Sequence, residues 1–314
     1  MASDKTHKRA ARVFLIPLAL LFALALAGSS HAASPESSVA FGAGYRVDKL
    51  AWNIAGNTAG TNPDILSELT WKDLKIFDMR ATYRRESQSG FYLKGSLGYG
   101  FIFGGKNQDS DYNGNGRTQE SSRSNNKADT GSVWDTSLGA GYKGALSLKD
   151  GTLDIIPMIG YAVYQQNLRI TNGFQTIPPT GPFGGLDSTY TARWFGPWAG
   201  AEAAYKSGKM TFTGGLEYHL VNYSAVANWN LRTDFKHPDS FDHSATGYGI
   251  KAAVGADYAL TSEWSINGSL DALKFRATNG IDTTRFADGT SGSTRLNEVK
   301  WDSLGAALGI KYRF

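Results

Sequence analysis

The chain has 314 residues, a formal net charge of +4 and no cysteine. The absence of thiols excludes disulfide bonds, thiol catalysis and thiolate metal sites. Residues 1–32 hold four basic side chains against one acidic side chain, so the rest of the chain is left near +1. A charge this small gives no reason to expect a nucleic-acid partner.

The first predicted element is an N-terminal export signal. Lys5, Lys8, Arg9 and Arg12 precede the apolar segment 13–27, which is followed by Ser30-His31-Ala32. A basic region, a short apolar core and small residues before the cleavage site are typical of a cleaved secretory signal. A membrane anchor is the alternative, but the segment is shorter than the roughly 20 residues that span a bilayer. We predict a signal peptide over 1–32 and a single domain over 33–314.

Segments with alternating side chains follow in chain order, because successive residues of a strand face opposite sides. The predicted strands are 38–48, 67–85, 90–103, 131–147, 152–170, 188–206, 209–230, 244–260, 263–278 and 296–314. Their connections alternate between short and long, as periplasmic turns and extracellular loops do in outer-membrane proteins. The sequence therefore predicts an all-β, ten-stranded, antiparallel, up-and-down transmembrane barrel, whose even strand count leaves no open edge.

The alternation also predicts what lies inside and outside. Charged residues at inward positions are nearly balanced in sign, which predicts a narrow lumen filled by ion pairs. They are Arg46, Asp48, Asp78, Arg80, Lys94, Asp135, Glu217, Lys251, Asp257, Asp271 and Lys311. We expect the tryptophans to form girdles at the membrane interfaces. They are Trp71, Trp134, Trp194, Trp198, Trp264 and Trp301.

The last predicted strand has an apolar face that runs from Leu304 to the terminal Phe314. It resembles the closing strand of bacterial outer-membrane barrels, which the barrel-assembly machinery reads in those proteins. The resemblance implies a monomer in the outer membrane of a Gram-negative bacterium, with its long loops extracellular. The implied partners are outer-membrane lipid, lipopolysaccharide, the assembly machinery and an extracellular ligand.

Three motifs resemble the omptins, the ten-stranded outer-membrane proteases. They are Ser67-x-Leu69-x-Trp71-Lys72, Asp109-x-Asp111 followed by an aromatic residue, and Arg193-x-x-x-Pro197-x-x-Gly200. In omptins an Asp pair faces an Asp–His pair across the barrel mouth, and a water between them attacks the peptide. The resemblance implies that Asp109 and Asp111 are catalytic and that Arg193 holds a lipopolysaccharide phosphate. A snorkelling interfacial arginine is the alternative for Arg193.

The second half of that catalytic site departs from the family. Asn228 and Asn230 are expected where omptins have Asp and His, and an amide cannot accept a proton at neutral pH. We therefore predict a surface binding or structural barrel with an incomplete protease site. One alternative is an endopeptidase that uses Asp109, Asp111 and a displaced histidine. His237 or His243 would be paired there with Asp234, Asp239 or Asp242. A narrow channel is a further alternative.

The segment from Asp109 to Glu120 also matches a calcium-loop pattern, D-x-[DN]-x-[DN]-G-x5-E. Its candidate metal ligands are Asp109, Asp111, Asn113, Asn115 and Glu120. Oxygen ligands at this spacing suit calcium. Arg117, however, occupies a position that usually supplies a ligand or a water, and no helices are predicted to flank the loop. A plain polar loop and a remnant of a catalytic site are the alternatives.

Overall fold

A computed structural model describes residues 36–314, and the predicted signal peptide over 1–32 lies outside the described residues. The strands are β1 Glu36–Ile54, β2 Ser67–Glu86, β3 Phe91–Gly114, β4 Thr118–Lys127, β5 Gly131–Tyr142, β6 Gly144–Leu148, β7 Gly151–Ile177, β8 Gly181–Ser207, β9 Met210–Asn228, β10 Phe241–Ala259, β11 Trp264–Arg285 and β12 Ser291–Arg313. Among residues 36–314, no helix has the length and apolarity that a membrane crossing requires.

These segments close into a ring of ten antiparallel barrel strands. β4, β5 and β6 succeed one another along one barrel strand, which lies between β3 and β7. β1 pairs with β2 on one side and with β12 on the other, with Phe41 opposite Ile310, and this pairing closes the ring. The predicted fold class is confirmed.

The strands are longer than predicted, at the expense of the long loops. The predicted loop 104–130 is largely a hairpin of β3 and β4, and β7 and β8 take up most of 171–187. Apart from a few apolar residues such as Phe174 and Phe183, these extensions carry polar side chains on both faces, so they lack the alternation on which the prediction relied. Backbone pairing alone is enough to continue a strand beyond the membrane. The existence of the strands was predictable, but their extracellular ends were not.

The two faces of the barrel differ as expected. The outer face exposes large apolar side chains, among them Leu308 at 76% and Ile159 at 71% exposed, as a lipid-facing surface requires. The inner face carries the predicted charges in pairs. Arg80 donates to Asp135 at 2.6 and 2.9 Å, and Lys311 lies 2.8 Å from Asp257. Ion pairing of the lumen is confirmed for these residues.

The tryptophan girdle was predicted wrongly for four of its members. Trp71 and Trp194 are 0% exposed, Trp301 is 2% and Trp198 is 5%, because all four project into the barrel. An aromatic layer crosses the lumen and consists of Trp71, Tyr164, Tyr190, Trp194, Phe275 and Trp301. Below it, the Trp301 indole donates to Asp48 at 3.0 Å. The layer therefore separates the ion-paired lumen from the extracellular mouth.

Candidate functional site

Above the aromatic layer, the extracellular mouth holds a cavity of about 650 Å³. We call it the mouth cavity. Its walls are mostly aromatic and aliphatic, and they include Trp52, Leu69, Ile170, Phe183, Leu186, Trp229, Leu231, Phe235, Phe241 and Phe286. Its charged lining residues are Asp109, Asp111, Asp282 and Arg232. Serine, threonine, asparagine and glutamine side chains also line it, so the cavity combines apolar walls with polar groups that include three carboxylates and one guanidinium.

Asp109 and Asp111 both face the mouth cavity, since they stand two residues apart on β3. The Trp229 indole donates to Asp109, and the Ser67 hydroxyl donates to Asp111. Burial, with repulsion from Asp111, raises the pKa of Asp109 well above its usual range. Burial also raises the pKa of Asp111, against the lowering effects of Ser67 and Arg232. Asp109 and Asp111 therefore offer two poorly solvated acceptors to a hydrogen-bond donor or a cation in the cavity.

Asn228 and Asn230 do not lie where the omptin resemblance implied. On β9 the inward residues are Ala225 and Ala227, which are buried, and the alternation continues with Trp229 in the cavity. Asn228 Oδ1 accepts from Nδ1 of the exposed His237 at 2.8 Å. Asn230 accepts from the backbone N–H of Asp187 at 2.9 Å and anchors the neighbouring connection. Asp109 therefore faces the Trp229 indole, which is neither a base nor an amide.

A histidine does lie inside the barrel, on the strand opposite β3. His243 on β10 is 1% exposed, and its Nε2 lies 3.1 Å from Asp282 Oδ1. Its Nδ1 lies 2.8 Å from the Tyr190 hydroxyl, which in turn lies 2.5 Å from the Tyr223 hydroxyl. Of the predicted acidic partners, Asp234 pairs with Arg232 and Asp242 pairs with Arg285 instead of with a histidine. Asp282, which lines the cavity, was missed by sequence reasoning.

The segment predicted to be a calcium loop forms a hairpin. Asn115 accepts from the backbone N–H of Asp64 at 2.9 Å. Glu120 accepts from both Nε and Nη2 of Arg123, at 2.7 and 2.5 Å. Over residues 36–314, no group of three or more acidic or histidine side chains is placed to hold a metal ion. The structure therefore gives the five predicted ligands no common centre.

Arg193 projects outward from β8, as the sequence predicts for an interfacial arginine. Its Nε and Nη2 both donate to Gln165 Oε1, at 3.1 and 2.7 Å. The guanidinium is exposed, so it keeps free donors toward its surroundings. Its contact with a lipopolysaccharide phosphate stays a prediction.

A comparison with protein families decides what this barrel is related to. The profile of Pom, described as Protochlamydia outer membrane protein, matches residues 40–314. The chain belongs to this family. Membership places this Pom-family barrel in the outer membrane of a Gram-negative bacterium. No curated protein sequence matches the chain significantly.

The chain is similar to several solved structures, and the first of them supports the fold. The outer membrane protease OmpT from Escherichia coli superposes with a TM-score of 0.69 at 14% identity, covering 91% of this chain and 100% of that one. The translocator domain of the autotransporter NalP from Neisseria meningitidis gives 0.36 at 13% identity, with 98% of each chain covered. OprG from Pseudomonas aeruginosa gives 0.35 at 12%, covering 88% and 95%. The likeness to OmpT concerns the barrel alone.

Proposed function

We propose that this outer-membrane barrel is a cell-surface binding protein, and that its mouth cavity takes an apolar group with a positively charged or hydrogen-donating end. The observation that carries the proposal is the mouth cavity itself, which is about 650 Å³ in volume and lined by aromatic walls around Asp109 and Asp111. Ligand sites in proteins share this character, with apolar walls and a few polar groups that fix orientation.

The charges of the cavity favour a cationic ligand end. Its one basic lining residue, Arg232, is already held by Asp234, with hydrogen bonds of 2.9 and 2.7 Å. Asp109 and Asp111 receive only the neutral donors Trp229 and Ser67. An ammonium or guanidinium that entered the cavity would meet two carboxylates in a poorly hydrated space, where charge-assisted hydrogen bonds are strongest. Aromatic walls add attraction for a cation.

A peptide array tests the proposal. Folded barrel in detergent is applied to mixed-sequence peptides, and retained protein is measured by fluorescence. We expect preferred binding to peptides that combine an aromatic or aliphatic residue with lysine or arginine. Gly292→Leu should weaken that binding at least tenfold, because Gly292 lines the cavity and an added Cβ meets only Phe286, at 3.7 Å.

Gly184→Leu is the matched control, since nothing lies within 4 Å of a Cβ added there and the residue does not line the cavity. It should leave the array pattern unchanged. Equal losses in both glycine variants, or an array on which cationic peptides have no advantage over neutral ones, would refute the proposal.

An endopeptidase is the second candidate, and one observation favours it. The His243–Asp282 pair stands on β10 and β11, across the ring from Asp109 and Asp111 on β3, and Asp282 lines the same cavity. A histidine base with an orienting carboxylate can deprotonate a water, and two further carboxylates can position it. Against this, His243 is 1% exposed and does not line the cavity.

Cleavage of a mixed peptide library, analysed by mass spectrometry, tests the second candidate. If the barrel is a protease, cleavage should fall at least a hundredfold in both Asp109→Asn/Asp111→Asn and His243→Gln. Intact peptides after incubation with folded wild-type barrel would remove the candidate and leave the binding proposal in place.

A further inference from the structure

Five Asn–Gly pairs occur in the sequence, at Asn113, Asn115, Asn172, Asn267 and Asn279. An asparagine that precedes glycine can form a five-membered ring, because the backbone nitrogen of the glycine can attack the side-chain amide carbon without hindrance from a Cβ. Both groups belong to neighbouring residues, so ring closure needs no encounter between molecules. The surroundings of each pair in the folded chain decide how fast its ring closes.

Four of the five pairs lie within strands, namely β3, β7 and β11. The fifth pair, Asn115-Gly116, begins the short turn Asn115–Arg117 at the tip of the hairpin between β3 and β4. Both of its residues are exposed to solvent. This pair therefore differs from the others in its backbone and in its access to water.

Asp64, in the connection between β1 and β2, contacts both reacting groups of the exposed pair. The backbone N–H of Gly116 donates to Asp64 Oδ1 at 2.8 Å. In return, Asn115 Oδ1 accepts from the backbone N–H of Asp64 at 2.9 Å. One residue thus holds the nitrogen that attacks and the amide oxygen of the group that is attacked.

The two contacts meet the two demands of ring closure. The attacking nitrogen must lose its proton, and a carboxylate within hydrogen-bond distance can accept it as a general base. Negative charge then develops on Asn115 Oδ1, and a backbone N–H at this distance stabilises it. The N–H of Ile65 donates to Asp64 Oδ1 at 2.9 Å, which fixes the orientation of the carboxylate.

The tip of the hairpin leaves room for the ring and constrains the backbone around it. Nothing lies within 4 Å of a Cβ added to Gly116. Gly116 and Arg117 have φ angles of 65° and 62°, in the left-handed region that is unfavourable for arginine. The Arg117 guanidinium donates to Glu68 at 2.9 Å, and this contact holds the turn in its strained form.

We propose that Asn115-Gly116 is a self-modification site, at which the barrel converts Asn115 into aspartate and isoaspartate. Asp64 takes the proton from the Gly116 nitrogen, and a bond forms between that nitrogen and Cγ of Asn115. The bond from Cγ to the side-chain nitrogen breaks, and ammonia leaves with the proton that Asp64 returns. Water then opens the cyclic imide at either carbonyl, so the chain continues through the α-carboxyl or the side-chain carboxyl.

The modification changes the rim of the mouth cavity. The contact between Asp64 and Asn115 ties the β1–β2 connection to the β3–β4 hairpin, and these segments supply Leu66 and Asn113 to the cavity wall. After conversion a second carboxylate stands beside Asp64, and like charges repel. Isoaspartate also adds a methylene to the backbone of the strained turn. The rim therefore loosens irreversibly with time, whatever the cavity binds.

Mass spectrometry of freshly refolded barrel, incubated at neutral pH in heavy-oxygen water and then digested, tests the inference. Heavy oxygen marks conversion that occurs during the incubation. We expect Asn115 to convert at least tenfold faster than Asn113 in the folded barrel, since a positioned general base contributes about 10²–10⁴-fold. In urea-unfolded barrel the two asparagines should convert at similar rates, because Asp64 no longer contacts the turn.

Asp64→Asn keeps an oxygen that accepts from the Gly116 N–H but cannot take its proton, so conversion of Asn115 should slow at least tenfold. Asp239→Asn is the matched control, because it removes the same charge from an exposed position in another extracellular loop. It should convert as wild type does, and heat-modifiable gel mobility must show that both variants are folded.

Three results would overturn the inference. The first is conversion of Asn115 that is no faster in the folded barrel than in the unfolded one. The second is conversion in Asp64→Asn that is as fast as in wild type. The third is a product that contains aspartate but no isoaspartate, since direct hydrolysis of the amide gives aspartate alone.

Discussion

Asp109 is the residue whose ionisation opposes folding most directly at the extracellular mouth. Burial and the Asp111 charge raise the pKa of Asp109 in the folded state above its unfolded value. A carboxyl group of this kind favours folding most below its unfolded pKa, and that contribution falls as the pH rises through the folded pKa. Asp109→Asn should therefore stabilise the barrel at pH 7.5, by about 1.4 kcal/mol for each unit of pKa shift removed, and have little effect near pH 4.

Urea unfolding of the barrel in phospholipid vesicles, at both pH values, measures this effect. Asp150→Asn is the control, because Asp150 is exposed in the turn before β7. The control should not change the pH dependence. A variant at position 109 that is destabilised at pH 7.5 would show that the charged carboxylate is favourable in the cavity.

At the scale of the strands, the alternation of side chains predicted which residues face inward wherever the pairing is regular. It failed where the inward phase of a strand changes. Asp109 and Asp111 were found from the omptin resemblance and not from alternation. Both have the odd numbering of the lipid-facing Phe101 and Phe103, and they face inward only because β3 changes phase at Gly105, which has a φ of 155°. Asp282 was missed because β11 changes phase at Asn279, which has a φ of 54° and lies at an irregularity in the pairing with β10. The error on β9 has a different cause. The inward phase runs unbroken from His219 to Ala227, and Asn228 and Asn230 were placed by the omptin resemblance and not by alternation.

A further prediction at the scale of the strands concerns the ion pairs that join them. Arg80 on β2 donates twice to Asp135 on β5, and Arg46 lies 3.9 Å from the same carboxylate. Asp135→Asn leaves the Arg80 guanidinium with only Asp78, at 3.7 Å, whereas Arg46 keeps its contact with Asp48. We expect it to lower the free energy of unfolding by roughly 3–5 kcal/mol.

Asp234→Asn breaks an exposed loop pair with Arg232 and should cost only about 0–1 kcal/mol. Arg80→Met/Asp135→Leu removes both charges and should cost less than Asp135→Asn alone, as measured by urea titration in vesicles. A double variant as unstable as the single one would mean that packing, and not the unpaired charge, accounts for the loss.

In the molecule as a whole, the aromatic layer separates two compartments with different chemistry. The extracellular compartment is an apolar cavity with acidic groups, whereas the compartment below is lined by ion pairs and opens toward the periplasmic turns, where a polar cavity of about 310 Å³ lies. A ten-stranded barrel is narrow enough for side chains to close it. The channel hypothesis therefore depends on whether the layer seals the lumen.

Planar-bilayer recordings test this seal. Wild-type barrel should give no discrete openings, because Trp194 and Trp301 lie within the layer with ring centroids 6.3 Å apart. Trp194→Ala/Trp301→Ala should give them, since two large side chains are lost from the constriction. Each substitution costs about 3–5 kcal/mol, so heat-modifiable mobility must first show that the variant is folded. Trp264→Ala, on the lipid-facing surface at 44% exposure, is the control and should stay silent. Discrete openings in the wild type would mean that the layer moves aside and that the barrel conducts.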